Sequence, residues 1–345
     1  MGIRAAVLGY GRSGSTMHAG AIEACDAYEM AAVCDIDPER RQQAAERFGC
    51  PVYEDHHEML RAEELDLVCV ITRSDQHAAM TCDCLEAGAN VLVTKPWAAN
   101  AGEAERMVAT QQSTGKTLLP WLPARWGCDL RRLKDLVAGG AVGKPFLVRR
   151  VVNSFATRND WQTKRAHAGG YLLNWGAHIV DPPLQLLGQP VQSVYGCMRQ
   201  LINPGDAEDL FMAVMTLADG SMVQAEYTIA VDEMPTWVVQ GDGGTITVRG
   251  MDVTVHSSTP QRPGDPTQFE TMQSEGDSLS RERLEGNPYG DEHEIYAELA
   301  AAVRGEAEQP VPTADALKLS RLFDAIRLSS EENRVVSLDG EGVGR

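Results

Sequence analysis

Two short stretches of this 345-residue chain hold side chains suited to proton chemistry. In GGYLLNWGAHIVDPP, residues 169–183, Asn174 and His178 lie four apart; in VTKPWAAN, Lys95 follows an apolar run and precedes Pro96. Residues at i and i+4 of a helix share one face. An imidazole exchanges a proton near neutrality, whereas an amide only donates and accepts hydrogen bonds. Many such pairs are ordinary hydrogen-bonded polar residues. Here Leu172, Leu173, Trp175, Ile179 and Val180 leave few polar neighbours, so a half-buried pair needs partners or a purpose. Asp181 precedes Pro182, and a residue before proline is pushed out of the helical region. The helix is therefore expected to bend or end just after His178, at the edge of a cleft.

A second set of residues suits a nucleotide. VLGYGRSG places Gly9, Gly11 and Gly14 between an apolar strand pattern and a helical one. In that setting the first glycine permits a tight turn, the second lets the backbone approach a pyrophosphate, and the third allows close helix packing. The helix N-terminus then faces the anion. Asp35 ends the next strand pattern, 21 residues after Gly14. A carboxylate there accepts from the adenosine ribose hydroxyls and repels a 2′-phosphate, which favours NAD over NADP. Arg40 and Arg41 follow closely enough to blur that preference. Lys95 closes a later strand pattern, and the carboxyl ends of parallel strands face the ligand crevice, so it is expected near the nicotinamide end.

The elements that must position these residues are legible as two grammars. Up to residue 122, near-continuous apolar runs (IRAAVLGYG, YEMAAVCDID, DLVCVIT, NVLVTKP, TLLPWLP) alternate with helical stretches such as DPERRQQAAERFG. Such runs are strands buried on both faces, and the alternation predicts an α/β Rossmann domain with a doubly wound parallel sheet over 1–122. From 123 to 345 a helix, RWGCDLRRLKDLVAGG, leads into strand candidates with hairpin-like joints, including LADGS and GDGG. That half is expected to be an α+β domain with a mostly antiparallel open sheet and helices on one face. Residues 257–287 are polar, proline-bearing and aperiodic, and read as a long surface loop or flap. Two amphipathic helices follow.

Composition narrows the partners. The length exceeds one comfortable core. The net charge of -18 argues against nucleic acid or an anionic membrane as partner. No apolar run is long enough to span a bilayer, and Met1–Arg4 lead directly into a strand pattern without a leader signature. The eight cysteines lack zinc-like spacing. His56 and His57, among Glu54, Asp55 and Glu58, read as a solvated acidic turn. The expectation is a reduced cytoplasmic protein with no metal site.

Taken in order, GYGRSG, AAVCDID, VITRSDQHAAMTCDCLEAGANVLVTKP, GGYLLNWGAHIVDPPLQLLG and ALKLSRLFDAIRLSSEENRVVSL resemble the glucose-fructose oxidoreductase, inositol dehydrogenase and rhizopine-catabolism (Gfo/Idh/MocA) family along nearly the whole length. The resemblance implies a Rossmann domain followed by an open sheet that holds substrate and makes oligomer contacts, hence a homodimer or homotetramer. It implies NAD contacts from Gly9, Tyr10, Gly11, Arg12, Ser13, Gly14, Asp35, Arg40, Thr72, His77, Thr94 and Lys95. By the same analogy Lys95 and His178 converge on a hydroxyl that loses its proton while hydride leaves the same carbon. His178 is then the general base, with an ordinary pKa of about 6.5, and Asn174 orients the substrate. Arg125, Arg158, Trp161 and Lys164 are further substrate candidates, with Trp126, Arg165 and His167 beside them. Two departures stand out: Thr94 where the family usually has Glu, and Asn174 where it often has Asp.

The implied activity is NAD-dependent oxidoreduction of a sugar, cyclitol or related polyol. An alternative keeps the site but oxidises only transiently, allowing glycoside cleavage, elimination or isomerisation, with His178 or Tyr171 abstracting a carbon-bound proton. A third reading, a nucleotide-responsive protein without chemistry, is left open by Thr94 and Asn174.

Overall fold

The computed structural model describes residues 2–338 apart from 262, 263, 266 and 270. The five apolar runs form β1 (Ile3–Leu8), β2 (Tyr28–Cys34), β4 (Leu67–Val70), β5 (Asn90–Val93) and β6 (Leu118–Pro120), and a two-residue strand outside those runs, β3 (Val52–Tyr53), completes six parallel strands. Their order is β3-β2-β1-β4-β5-β6, the doubly wound arrangement, whose ligand crevice lies at the carboxyl ends where the order reverses between β1 and β4. Between them run α1 (Ala19–Ala24), α2 (Pro38–Phe48), α3 (His56–Ala62), α4 (His77–Glu86) and α5 (Ala101–Thr114). All of β4 is inaccessible to solvent, as a strand covered on both faces must be. The side chain of Asp37 caps α2 by accepting from Glu39 N at 2.9 Å, with Pro38 in the first turn. A π-helical turn, Gly14–His18, precedes α1.

The second half carries α6 (Cys128–Ala138), β7 (Pro145–Asn153), α7 (Tyr171–Ile179) and α8 (Asp181–Leu187). It continues through β8 (Val191–Arg199), β9 (Leu210–Leu217), β10 (Met222–Thr228), β11 (Trp237–Gly241), β12 (Gly244–Arg249), β13 (Asp252–Pro260) and β14 (Ser274–Arg283). The described chain closes with α9 (Glu292–Val303), α10 (Thr313–Glu332) and β15 (Val336–Ser337). The nine strands are ordered β14-β13-β12-β11-β7-β10-β9-β8-β15. Only β7 and β10 pair in parallel; the other neighbours are antiparallel. Phe211, Ala213, Met215 and Leu217 of β9 are wholly buried while their alternates are half-exposed, so one face of the sheet is covered, by α7, α8 and α10, and the other is open.

The expected loop over 257–287 is corrected. Its first part extends β13 to Pro260 and its second is β14, paired antiparallel from Asp252↔Arg283 to Pro260↔Ser274. Residues 262, 263, 266 and 270 of that stretch lie outside the described residues. All ten residues of β14 are exposed, so this strand lacks the one-sided apolar alternation by which strands are recognised.

The final helices return to the first half. Tyr296 of α9 is fully buried, its hydroxyl 2.8 Å from His18 Nδ1 and its carbonyl accepting from Tyr28 OH. Burial lowers His18 to a pKa of about 3, which keeps that ring neutral. Further on, α10 packs against α5 and β6.

Candidate functional site

The glycine loop leaves β1 at Gly9, whose N–H donates to Cys34 O at 2.8 Å. Gly9 has φ +100°, and a Cβ there would lie 2.6 Å from the Ile71 carbonyl; a Cβ on Gly14 would strike Gly9 O. The loop is thus pressed onto the sheet with room only for hydrogen atoms at these two positions. Asp35 is buried, and its two oxygens accept from Tyr10 N at 2.7 Å and Asp37 N at 2.9 Å. Arg40 Nη1 stands 3.6 Å from Asp35 Oδ2, while Arg41 is committed to Asp35 O, Ile36 O and Glu54. Arg12 is exposed and Ser13 half-exposed at the start of the helical turn. The Tyr10 ring is buried against Phe48, so this residue contributes backbone rather than its phenol to the loop.

The opposite wall begins at the ends of β4 and β5. His77 is buried, with Nδ1 2.7 Å from Pro96 O and Nε2 3.1 Å from Thr72 O. His77, expected as a cofactor contact, ties together the segments that carry Thr72 and Lys95. Thr94 continues the sheet, its N–H donating to Val70 O. Lys95 Nζ donates to both the backbone oxygen of Asn174, at 3.0 Å, and its amide Oδ1, at 2.7 Å. Burial first, then the charges of Arg158 and Arg12, lower Lys95 to a pKa of about 8.

Asn174 and His178 are delivered by α7. Glu208 caps that helix: its carbonyl accepts from Tyr171 N at 3.0 Å and its carboxylate from Leu172 N at 3.1 Å. Burial pushes the Glu208 carboxyl up. Gly170, at φ +107°, precedes the helix, and a Cβ there would collide with the Glu208 carboxylate. The helix ends at Ile179, where a break was expected, but the expected reason is corrected: Asp181 is not driven out of the helical region and is the first residue of α8, after Val180 with right-handed helical angles. His178 is buried, its ring edge-on to Tyr289 at 5.1 Å, and its Nδ1 has no hydrogen-bond partner among the described residues. Burial foremost, then Lys95 and Arg150, hold its pKa well below 6.5. Of the two groups, Lys95 at a pKa of about 8 lies nearer physiological pH, and burial keeps the His178 ring in its neutral form, the form in which an imidazole can accept a proton. Asn174 touches Lys95, which the sequence did not foretell.

The remaining candidates divide. Arg158 borders the site, its guanidinium bonded to Asp160 at 2.9 Å and its backbone N–H to Asn203 Oδ1. Trp161 is half-buried in a short 3₁₀ turn and Lys164 is exposed. Arg165 is also exposed, and His167 lies 3.4 Å from Asp75 beyond β4, so the loop holding these residues reaches the nucleotide domain. Arg125 is not brought to Lys95: it forms a paired bond to Asp181 and a further one to Asp315. Trp126 is buried and donates to Glu298. Tyr171 is buried, and its hydroxyl accepts from Asn203 Nδ2 at 3.0 Å. Glu208 and the Arg150–Tyr289 pair behind His178 were missed, because each acts across long stretches of sequence.

Chemically, an amine fixed by two acceptors keeps one position on nitrogen, an N–H when charged and a lone pair when neutral. Beside a neutral imidazole, that is an arrangement for moving one proton to or from a bound oxygen.

Comparison with known proteins gives matches along most of the chain. The model of an oxidoreductase family with an NAD-binding Rossmann fold matches residues 3–120, and the GFO/IDH/MocA C-terminal domain matches 130–247. The chain is 25% identical to scyllo-inositol 2-dehydrogenase (NADP(+)) IolW of Bacillus subtilis, over 98% of this chain and 96% of that one. It is also 25% identical to the uncharacterized oxidoreductase YdgJ of Escherichia coli, over 93% and 94%. Among solved structures, the WlbA dehydrogenase of Chromobacterium violaceum in complex with NADH and UDP-GlcNAcA superimposes with a TM-score of 0.81 at 25% identity, covering 99% of this chain and 97% of the other.

Proposed function

Because the chain belongs to the Gfo/Idh/MocA oxidoreductase family, we propose that it transfers hydride between NAD and a hydroxyl or ketone carbon of a sugar, cyclitol or related polyol. The observation that carries this reading is Lys95 Nζ held by both oxygens of Asn174 at the mouth of the nucleotide crevice, with its pKa brought to about 8. The glycine cradle at Gly9 and Gly14, which a Cβ would fill, fits a dinucleotide pyrophosphate. Asp35, set against the loop by Tyr10 N, favours the free 2′-hydroxyl of NAD over a 2′-phosphate. When bound, the nicotinamide supplies the hydride acceptor. Lys95 as free amine takes the hydroxyl proton; as ammonium it returns it. His178 stays neutral and hydrogen-bonds the same oxygen or its neighbour, and Asn174 sets the direction of the amine. Arg158, Trp161 and Lys164 lie on the loop that would border the substrate. The open face of the nine-stranded sheet supports a homodimer or homotetramer.

The test mixes the purified protein and NAD with a panel of sugars, inositols and glycosides and follows NADH absorbance alongside product mass. NADH formed with one polyhydroxy substrate, and lost in Lys95→Met, is the expected result. Product formed without NADH accumulation would replace net oxidation by the transient form. Turnover undiminished in Lys95→Met would overturn the reading.

A further inference from the structure

Away from the crevice, three metal-ligating side chains meet between α3 and α4. The Asp55 side chain caps α3 by accepting from Glu58 N at 3.0 Å, so His56 and His57 occupy the first two positions of that helix. Their rings lie 4.0 Å apart at an interplanar angle of 35°, and both turn Nε2 toward Asp83 of α4. His56 Nε2 is 2.9 Å and His57 Nε2 3.8 Å from the same oxygen, Asp83 Oδ2. The second distance is too long for a hydrogen bond, so the oxygen is shared by one bonded imidazole and one that only approaches it.

We propose that His56, His57 and Asp83 bind one divalent transition-metal ion of the zinc, cobalt or nickel type, clamping α3 to α4. The three ligand atoms all lie within 4.8 Å of one another. A tetrahedral ion held at about 2.0–2.2 Å from each donor needs them roughly 3.3–3.6 Å apart, so closure takes small side-chain adjustments. Imidazole and carboxylate donors suit this class of ion better than magnesium or calcium, which prefer all-oxygen sets. The site has an entry path: the side chain of His57 is 52% exposed and that of Asp83 34%, which leaves room for water as fourth ligand. Glu54, Asp55 and Glu58 add negative charge around it, and attract a cation. Sequence spacing conceals the site because the carboxylate arrives from the neighbouring helix.

The experiment uses the full chain, freed of any affinity tag and treated with chelator. It is titrated with Zn²⁺ by calorimetry and with Co²⁺ by absorption spectroscopy at pH 7.5, beside His57→Ala, His57→Gln and Asp83→Ala. Saturable binding of one equivalent is expected, weakened at least about tenfold in each variant, with a metal-induced rise in the unfolding midpoint in the unmodified protein only. The unfolding midpoint without metal reports that each variant folds. Equal affinity in the unmodified protein and the three variants, or no saturable binding, overturns the proposal. So does a thiolate charge-transfer band in the Co²⁺ spectrum, which would place the ion on cysteine.

Discussion

Replacing Asn174 by aspartate would put a carboxylate oxygen where the amide Oδ1 now lies, 2.7 Å from Lys95 Nζ. At that separation the attraction is about 1.5 kcal/mol at the dielectric of bulk water and about 6 kcal/mol at an effective value of 20. One pH unit corresponds to about 1.4 kcal/mol. Even the smaller figure therefore raises Lys95 by about one unit from its present value of about 8. At pH 7.5 the free-amine fraction would fall from about a quarter to about one fortieth, roughly tenfold. In the direction of hydroxyl oxidation, kcat/KM for Asn174→Asp should drop by at least that factor at pH 7.5 and recover as the pH rises. Its rising limb moves to the alkaline side of the unmodified enzyme's. The assay is a pH profile of NAD reduction under first-order conditions. A limb that stays in place, or moves to acid, would refute the assignment of Lys95 as the titrating group.

Three further outcomes are open to measurement. Lys95→Met should lower turnover by at least roughly 10²-fold, and it should also change how stability depends on pH. The lowered pKa of Lys95 means the unfolded chain binds more protons than the native one between about 8 and the ordinary lysine value of about 10.4. Stability contributed by this site therefore rises with pH across that window, a rise visible in unfolding midpoints of the unmodified protein and absent from the variant if the argument holds. Asp35→Ser should raise the ratio of kcat/KM with NADP to that with NAD by at least about tenfold; an unchanged ratio would move the selectivity to Arg40. Gly170→Ala adds a Cβ at φ +107° against the Glu208 carboxylate and should cost about 2 kcal/mol or more, read by denaturant unfolding; an unaltered midpoint would mean that the helix start rearranges freely.

Local signals carried much of this molecule. The glycine spacing, the Asp35 strand end and the Lys95–Pro96 junction each sit where one strand meets one turn, and the alternation of five apolar runs with helices gave the doubly wound parallel class, though not the two-residue β3. The end of α7 was legible from the two prolines that follow it, which carry no backbone N–H to continue the helix. What escaped the sequence is what depends on distant partners. Nothing around Glu208 in the polar stretch GDAEDL marks it as the cap of α7. The low pKa of His178 comes from burial and from two cations on other elements, so its ordinary value was a poor guide. β14 was misread for a different reason: a strand exposed on both faces leaves no hydrophobic period to find.

The return of α9 and α10 to the first half bears on how the chain is made. The parallel sheet is complete by Pro120, yet Tyr296 fills the pocket beside His18, Tyr28 and Trp121, and buried Ala316 joins the other side of that sheet. During synthesis the nucleotide domain emerges first and then waits for nearly the entire remaining chain before its surface is closed. Contacts of such long sequence separation form slowly, so an early-emerging sheet with uncovered apolar surface is the stage at which this protein is most exposed to aggregation.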